Sequence, residues 1–123
     1  MSYVRVSVGS LKTENITFDT TDPEGLAAWW ARALDGEVTP IAPPFFVVVS
    51  RPGGPGLAFQ QVPDPTPGKN KVHLDFSTDD VEAEVARLVE LGATETGRNN
   101  FGDFAWVVLA DPDGNAFCVA PHT

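Results

Sequence analysis

The sequence predicts an α+β fold built from two similar halves. Stretches in which apolar residues alternate, typical of strands, are followed by stretches with helical spacing, and the whole pattern then occurs a second time. Asn15 falls opposite His73, 58 residues later (73 − 15 = 58), and the same shift matches Gly56–Pro63 with Gly114–Pro121. Because this shift is constant across the half, we expect each half to have the same element order, β-α-β-β-β.

The first half, assigned to residues 13–63, is predicted to begin with a strand and a helix. Alternating polar and apolar residues over 15–20 indicate a half-buried strand. The sequence TDPE at 21–24 has the spacing of a helix start, with Thr and Glu placed as in a capping box and Pro tolerated in the first turn. Apolar residues at helical spacing follow, and we expect the helix to end at Gly36.

The rest of the first half is predicted to hold a loop and two strands. The proline-rich stretch 40–44 predicts the loop. The β-branched and aromatic run at 45–49 and the stretch 57–61 predict the strands. Several prolines follow, and the linker between the halves is assigned to 64–70.

The second half, 71–121, repeats this order. A strand over 72–77 precedes a helix that is expected to end at Gly92. The polar stretch 97–103 (GRNNFGD) is expected to form a loop and is a candidate lid, since its two glycines allow motion. An ordinary surface loop is the alternative.

The first twelve residues lie outside the repeat. Val4, Val6 and Val8 alternate with other residues, as in a short strand. We expect residues 1–12 to form an extra edge strand or an arm on a partner chain. A length of 123 residues suits one compact domain, so the whole chain is assigned to a single domain.

Charge and composition limit the function. A formal net charge of −9 argues against a nucleic-acid partner, because phosphates need a basic surface. The same charge permits a cationic ligand, although an acidic surface also serves solubility alone. The single cysteine, Cys118, fits a reducing cytoplasm, and neither a signal peptide nor a membrane-spanning run is recognisable, so we expect a cytoplasmic protein without membrane partners.

Three motifs add a family resemblance. DPEGLAAWWARALDG follows the first strand, KVHLD begins the second half, and DPDGNAFC begins the last strand. Together with two βαβββ halves, they resemble the vicinal oxygen chelate superfamily, in particular the glyoxalase-like domains of the glyoxalase, bleomycin-resistance protein and dioxygenase group. The resemblance covers residues 13–121. It implies a partly open cup of mixed sheet with the helices outside, and a homodimer.

The resemblance also implies a set of metal ligands. Metal-dependent members use one ligand from the first and one from the last strand of each half, and the matching positions here are Asn15, Gln60, His73 and Cys118. Only His73 is the residue that the family usually has there, and neutral amides are weak ligands for a divalent ion. A zinc site would therefore depend on His73, with Cys118 and Gln60 as candidate co-ligands.

His73 and Asp75 are the predicted catalytic pair. They lie two residues apart on a strand and so share a face, which lets Asp75 orient the imidazole or act as a base. The alternatives are that His73 is an ordinary hydrogen-bonded strand residue and that Asp75 only adds charge at the mouth of the cleft.

The predicted ligand-binding residues lie on the strands around this pair; they are Asn15, Asp19, Gln60, Phe104, Trp106 and Cys118. His73 could activate Cys118 as a nucleophile, but a buried Cys in an apolar strand is also simply a small hydrophobe. Trp29 and Trp30 are adjacent in the helix, so we expect one of them to pack under the sheet. The other, or Trp106 with Phe104, would offer a flat wall to a planar ligand.

These observations favour a glyoxalase-like protein that binds a small organic molecule in its cup, as a lyase or isomerase with a degenerate metal site. The alternative is a bleomycin-resistance-type binding protein that sequesters a cationic aromatic compound without turnover. A third interpretation is a partner-binding domain with a vestigial cavity.

Overall fold

A computed structural model describes residues 13–68 and 72–122. The expected N-terminal strand or arm at 1–12 lies outside these residues. No helix in the described ranges is long and apolar enough to cross a membrane.

The first half forms a four-stranded mixed sheet with one helix. Its elements are β1 (Asn15–Thr20), α1 (Pro23–Leu34), β2 (Glu37–Ala42), β3 (Phe46–Ser50) and β4 (Gly56–Gln61). The strand order is β1-β4-β3-β2, in which β1 and β4 are parallel and the other pairs antiparallel.

The second half repeats the arrangement. Its elements are β5 (Leu74–Thr78), α2 (Val81–Leu91), β6 (Thr94–Phe101), β7 (Phe104–Ala110) and β8 (Ala116–Pro121), in the order β5-β8-β7-β6. The predicted α+β class and the two βαβββ halves that form an unclosed cup are confirmed.

Two predicted loops are partly strand. The stretch 40–44 was expected to be a loop, but β2 runs through Pro40 to Ala42. Proline is tolerated there because β2 is the edge of its sheet, where one row of N–H groups has no strand partner. The loop and lid expected at 97–103 are also wrong, since β6 extends to Phe101 and only a tight turn separates it from β7.

Arg98 on β6 is held by two carboxylates. Its guanidinium donates to Glu82 at 2.7 and 2.9 Å and to Glu95 at 3.0 Å. These hydrogen bonds hold the pKa of both carboxyl groups below the ordinary value and raise the pKa of Arg98. Arg98 is therefore part of a surface ion network.

The two helices begin in the same way in both halves. Asp22 and Asp80 are the N-caps, and their carboxylates accept from the N–H groups of Gly25 and Ala83, each at 3.1 Å. The capping box predicted for Thr21 and Glu24 is therefore wrong: the N-cap lies one residue later, at Asp22, and Gly25 has no side chain that could complete a box. An Asp N-cap satisfies an N–H group that the helix itself leaves unpaired.

Both tryptophans of α1 are buried, with 3% of Trp29 and 1% of Trp30 exposed. Trp30 also lines a cavity described below, so a ligand-facing role for that ring stays a prediction. The helix packs against its own sheet and against α2, which makes its buried surface wider than one stripe. Trp30 contacts the rings of Phe18, Phe76 and Phe117, with centroids 5.1 to 6.0 Å away. These aromatic residues join the two halves in one core.

Buried hydrogen bonds cross the same boundary. The indole N–H of Trp30 donates to Oδ2 of Asp111 at 2.9 Å, and that of Trp29 donates to the carbonyl of Leu91 at 3.1 Å. Asp111 is only 4% exposed and also accepts from the backbone N–H groups of Asp113 and Asn115. The DPDG turn, which the sequence explains by turn geometry alone, is therefore also an anchor for α1.

We expect Asp111→Ala to lower the free energy of unfolding by about 3 kcal/mol or more, because the buried indole N–H of Trp30 and the partly buried donors of Asp113 and Asn115 lose their acceptor. Trp30→Phe should cost less, about 1–3 kcal/mol, since Asp111 keeps its backbone donors. Urea unfolding followed by circular dichroism measures both, with the exposed Asp103→Ala as the control. Equal stability of Asp111→Ala and Asp103→Ala would contradict the anchoring role.

Candidate functional site

A cavity of about 550 Å³ lies between the two sheets, where the edge strands β1 and β5 face each other. Thr17 and Asp19 reach it from β1, and His73 reaches it from the start of β5. The rings of Phe18, Trp30 and Phe117 form an apolar wall, and residues 65–67 of the linker cover one side. The volume suits a small organic ligand with a few polar contacts.

Three potential ligand groups converge beside this cavity. Asp75 and Cys118 are direct partners in the parallel pairing of β5 with β8, so their side chains share a face of the sheet. His73 lies two residues before Asp75, and its Nε2 is 3.3 Å from Oδ1 of Asp75. One atom each of the imidazole, the carboxylate and the thiol lie within 4.8 Å of one another.

The three residues differ in exposure. The side chains of His73 and Asp75 are 44% and 74% exposed, whereas Cys118 is only 9% exposed. The thiol therefore lies at the floor of the cluster and the other two groups at its open side. This arrangement leaves access for a fourth ligand from solvent or from the cavity.

The donor set suits zinc. Nitrogen, oxygen and sulfur donors are all zinc ligands, and three protein ligands with one open position are typical of catalytic zinc sites. Ligand atoms around tetrahedral zinc lie about 3.3–3.8 Å apart, as its bond lengths require, so the cluster would need to contract by about 1 Å. Rotation of the exposed side chains of His73 and Asp75 can supply this change.

The sequence predicts that Asp75 orients the imidazole or acts as a base, and it does not place Asp75 among the candidate metal ligands. Gln60 was a candidate co-ligand because the family resemblance, with the constant shift of 58, placed it opposite Cys118. The strand pairing disagrees: Thr17 pairs with Ala58, whereas its counterpart Asp75 pairs with Cys118. The shift is thus 60 for these last strands (118 − 58 = 60), and Ala58 is the counterpart of Cys118.

The cluster therefore exists in the second half only. The positions of His73, Asp75 and Cys118 correspond to Asn15, Thr17 and Ala58 in the first half, none of which carries a strong metal ligand. A displacement by two residues leaves every side chain on the same face of its strand, so alternation in the sequence could not reveal it.

The other predicted ligand-binding residues lie apart from the cluster. Asn15 is at the far end of β1 from Asp19, where it pairs with Gly56, and it does not line the cavity. Gln60 is exposed and pairs with Asp19, which places it near the cavity without lining it. Among the predicted ligand-binding residues, Asp19 lines the cavity.

Phe104 and Trp106 form a separate aromatic pair on β7, with ring centroids 5.9 Å apart. Val108, two residues beyond Trp106, pairs with Cys118, so Trp106 lies on the same face of the sheet as the cluster. Neither ring lines the cavity. His122, by contrast, lies 3.1 Å from Asp79 at the surface.

A family model described as "Glyoxalase-like domain" matches residues 15–120. The chain belongs to this family. No curated protein matches the sequence significantly. This glyoxalase-like domain is also similar to many solved structures. Those named below have low sequence identity to it.

Three of these structures illustrate the range of proteins that have this fold. A glyoxalase/bleomycin resistance protein/dioxygenase family enzyme from Burkholderia phytofirmans PsJN has 20% identity and a TM-score of 0.78, covering 90% of this chain and 98% of that one. Lactoylglutathione lyase from Agrobacterium tumefaciens has 16% identity and a TM-score of 0.67, covering 93% and 95%. Oxidase ChaP-H2 has 20% identity and a TM-score of 0.68, covering 94% and 96%. At these identities the similarity establishes the fold alone.

Proposed function

We propose that this glyoxalase-like domain is a lyase or isomerase that binds a small organic molecule in the cavity between β1 and β5. His73, Asp75 and Cys118 would hold a zinc ion at the side of that cavity. The observation that carries the proposal is the convergence of an imidazole, a carboxylate and a thiol within 4.8 Å. Asp75 would supply a carboxylate, which none of the four family-matched positions Asn15, Gln60, His73 and Cys118 carries.

A zinc ion bound there would supply a Lewis acid that polarises a carbonyl or hydroxyl oxygen of the ligand. The remaining chemistry falls to the chain. His73 both belongs to the cluster and lines the cavity, so the ligand would lie directly against the metal site. Cys118, which is nearly buried, would fix the ion from below as a thiolate rather than act as a nucleophile.

Asp19 is the proposed proton carrier. Asp19 lines the cavity from β1 in the first half, and His73 lines it from the residue before β5 in the second half. A ligand held between them would have a polarised oxygen on one side and a base on the other. Removal of a proton next to a carbonyl and its return at a neighbouring atom is the basic step of an isomerase.

Zinc binding tests the metal site. We expect the chelator-treated protein to take up one zinc ion per chain, measured by native mass spectrometry and by competition with a chelating dye. His73→Ala and Asp75→Ala should weaken binding by on the order of 100-fold or more, since even loss of an outer hydrogen-bond partner of a ligand costs 10–100-fold. Asn15→Ala is the matched control, because Asn15 is the counterpart of His73 in the first half. Zinc uptake that is equal in all variants would contradict the site.

Proton exchange tests the reaction class. We expect the zinc-loaded protein to exchange the carbon-bound protons of at least one member of a panel of small 2-hydroxy ketones and 2-oxo aldehydes in deuterated water, followed by proton NMR. Asp19→Asn should slow this exchange by about 100-fold or more while zinc content stays constant. Asp103→Asn, in an exposed turn, is the control. An unchanged rate in Asp19→Asn would remove Asp19 from the mechanism, and no exchange by any compound would argue against an isomerase.

Sequestration of a cationic aromatic compound is the second candidate function. One observation favours it: the cavity lining contains the acidic Asp19 and aromatic rings, and no lysine or arginine among the described residues. Such a lining attracts a planar cation through both charge and ring contacts.

Thioflavin T, a cationic aromatic dye, distinguishes the two functions. A sequestering protein should bind the dye in the presence of a chelator, as measured by fluorescence titration. Asp19→Asn should weaken this binding, whereas Cys118→Ser, which changes a cluster residue outside the cavity lining, should leave it unchanged. Binding that needs zinc, or that Asp19→Asn leaves unchanged, would contradict this function.

A homodimer and a cytoplasmic location stay predictions. Exposed apolar side chains at the tips of the β2–β3 and β6–β7 hairpins are compatible with a dimer interface; Ile41, Phe45 and Phe101 are 60%, 62% and 84% exposed.

A further inference from the structure

A second cavity, of about 230 Å³, lies on the helix side of the fold. The C-terminal part of α1, one face of α2 and the end of β5 surround it, and Arg51 closes it from the connection between β3 and β4. It shares only the buried rings of Trp30 and Phe117 with the cavity described above. The two spaces therefore offer separate binding sites.

Arg51 has an unusual environment. Its residue surface is partly buried, and its Nε is buried without a hydrogen-bond partner. No ion pair within the described part of the chain includes Arg51. A partly buried guanidinium without a counter-charge is unfavourable, and an unsatisfied buried donor in a folded protein needs an explanation.

Arg87 contributes a second, fixed guanidinium to the same cavity. Its Nε donates to Glu84 at 2.6 Å and its Nη2 donates to the carbonyl of Ala33 at 2.8 Å. The charged lining residues are thus two arginines and one glutamate, a formal charge of +1. This is a local excess of positive charge in a chain whose net charge is −9.

The remaining walls are mainly apolar, formed by Leu34, Phe76, Leu88 and Val119. A ligand that complements them has an apolar body and one negative group. A single excess charge matches a carboxylate better than a phosphate dianion, and the fork of a guanidinium binds a carboxylate through two parallel hydrogen bonds.

We propose that this second cavity binds a small organic monocarboxylate, with Arg51 as the anchor for its carboxylate and the apolar walls around its body. The site is independent of the zinc cluster and of the reaction proposed above, because none of His73, Asp75 and Cys118 lines it.

Benzoate and its neutral analogue benzamide test this site in the full-length, metal-free protein. We expect benzoate at millimolar concentration to shift backbone amide NMR signals around Leu34, Ser77 and Leu88, and to bind at least about tenfold more tightly than benzamide, because the hydrogen bonds to Arg51 are charge-assisted. Arg51→Met keeps an unbranched apolar stem but removes the guanidinium, so it should abolish this preference. Arg98→Met, in the surface ion network, is the matched control and should retain it.

Three results with benzoate would overturn the proposal. They are equal binding of benzoate and benzamide by the unaltered protein, shifts confined to the surroundings of His73 and Asp19, and an undiminished preference in Arg51→Met. The comparison of the two ligands needs no variant, so it decides the matter even if Arg51→Met does not fold. Inorganic phosphate is titrated in parallel, and tighter binding of phosphate than of benzoate would also contradict a carboxylate site.

Discussion

The hydrogen bond between the indole of Trp30 and the carboxylate of Asp111 is the contact on which the candidate site depends most. It joins α1 of the first half to the β7–β8 turn of the second, in a region where both partners are almost completely buried. Asp111 also accepts from Asn115, immediately before β8 begins at Ala116. The residue that fixes how the halves meet therefore also fixes where the strand that carries Cys118 begins.

A second contact supports the same geometry. The hydroxyl of Thr20, at the end of β1, donates to Asp113 in the β7–β8 turn at 2.6 Å, and its oxygen accepts from the N–H of Asp22. Asp19, which lines the cavity, is thereby held next to an anchored residue. The opposing walls of the cavity, β1 on one side and β5 with β8 on the other, are thus positioned by polar contacts as well as by the shared aromatic core.

The candidate ligand groups differ between the halves although the fold does not. Both halves keep the same strand order and Asp N-caps at equivalent positions. Only the second half carries an imidazole, a carboxylate and a thiol at equivalent strand positions, and the first half contributes a single acid from its edge strand. A repeat that is conserved for packing can therefore hold one asymmetric site at its boundary.

The sequence was sufficient to predict those features that depend on the local spacing of apolar residues. Alternation identified the faces of β1 and β5, and so the shared face of His73 and Asp75, while helical spacing identified α1 and α2. The sequence could not predict how distant strands pair. A shift of two residues between β4 and β8 leaves the local alternation unchanged, but it makes Ala58 rather than Gln60 the counterpart of Cys118. The burial of both Trp29 and Trp30 was also unpredictable, because their acceptors lie in the other half.

The central claim is that β5–β8 pairing brings His73, Asp75 and Cys118 around one metal ion. Cadmium NMR tests it most directly, with cadmium in place of zinc and with nitrogen-labelled histidine. The account predicts a single cadmium signal with the strong shift that a thiolate ligand causes, coupled both to the β-protons of Cys118 and to a ring nitrogen of His73. A signal typical of oxygen ligands alone, with no coupling to either residue, would contradict it.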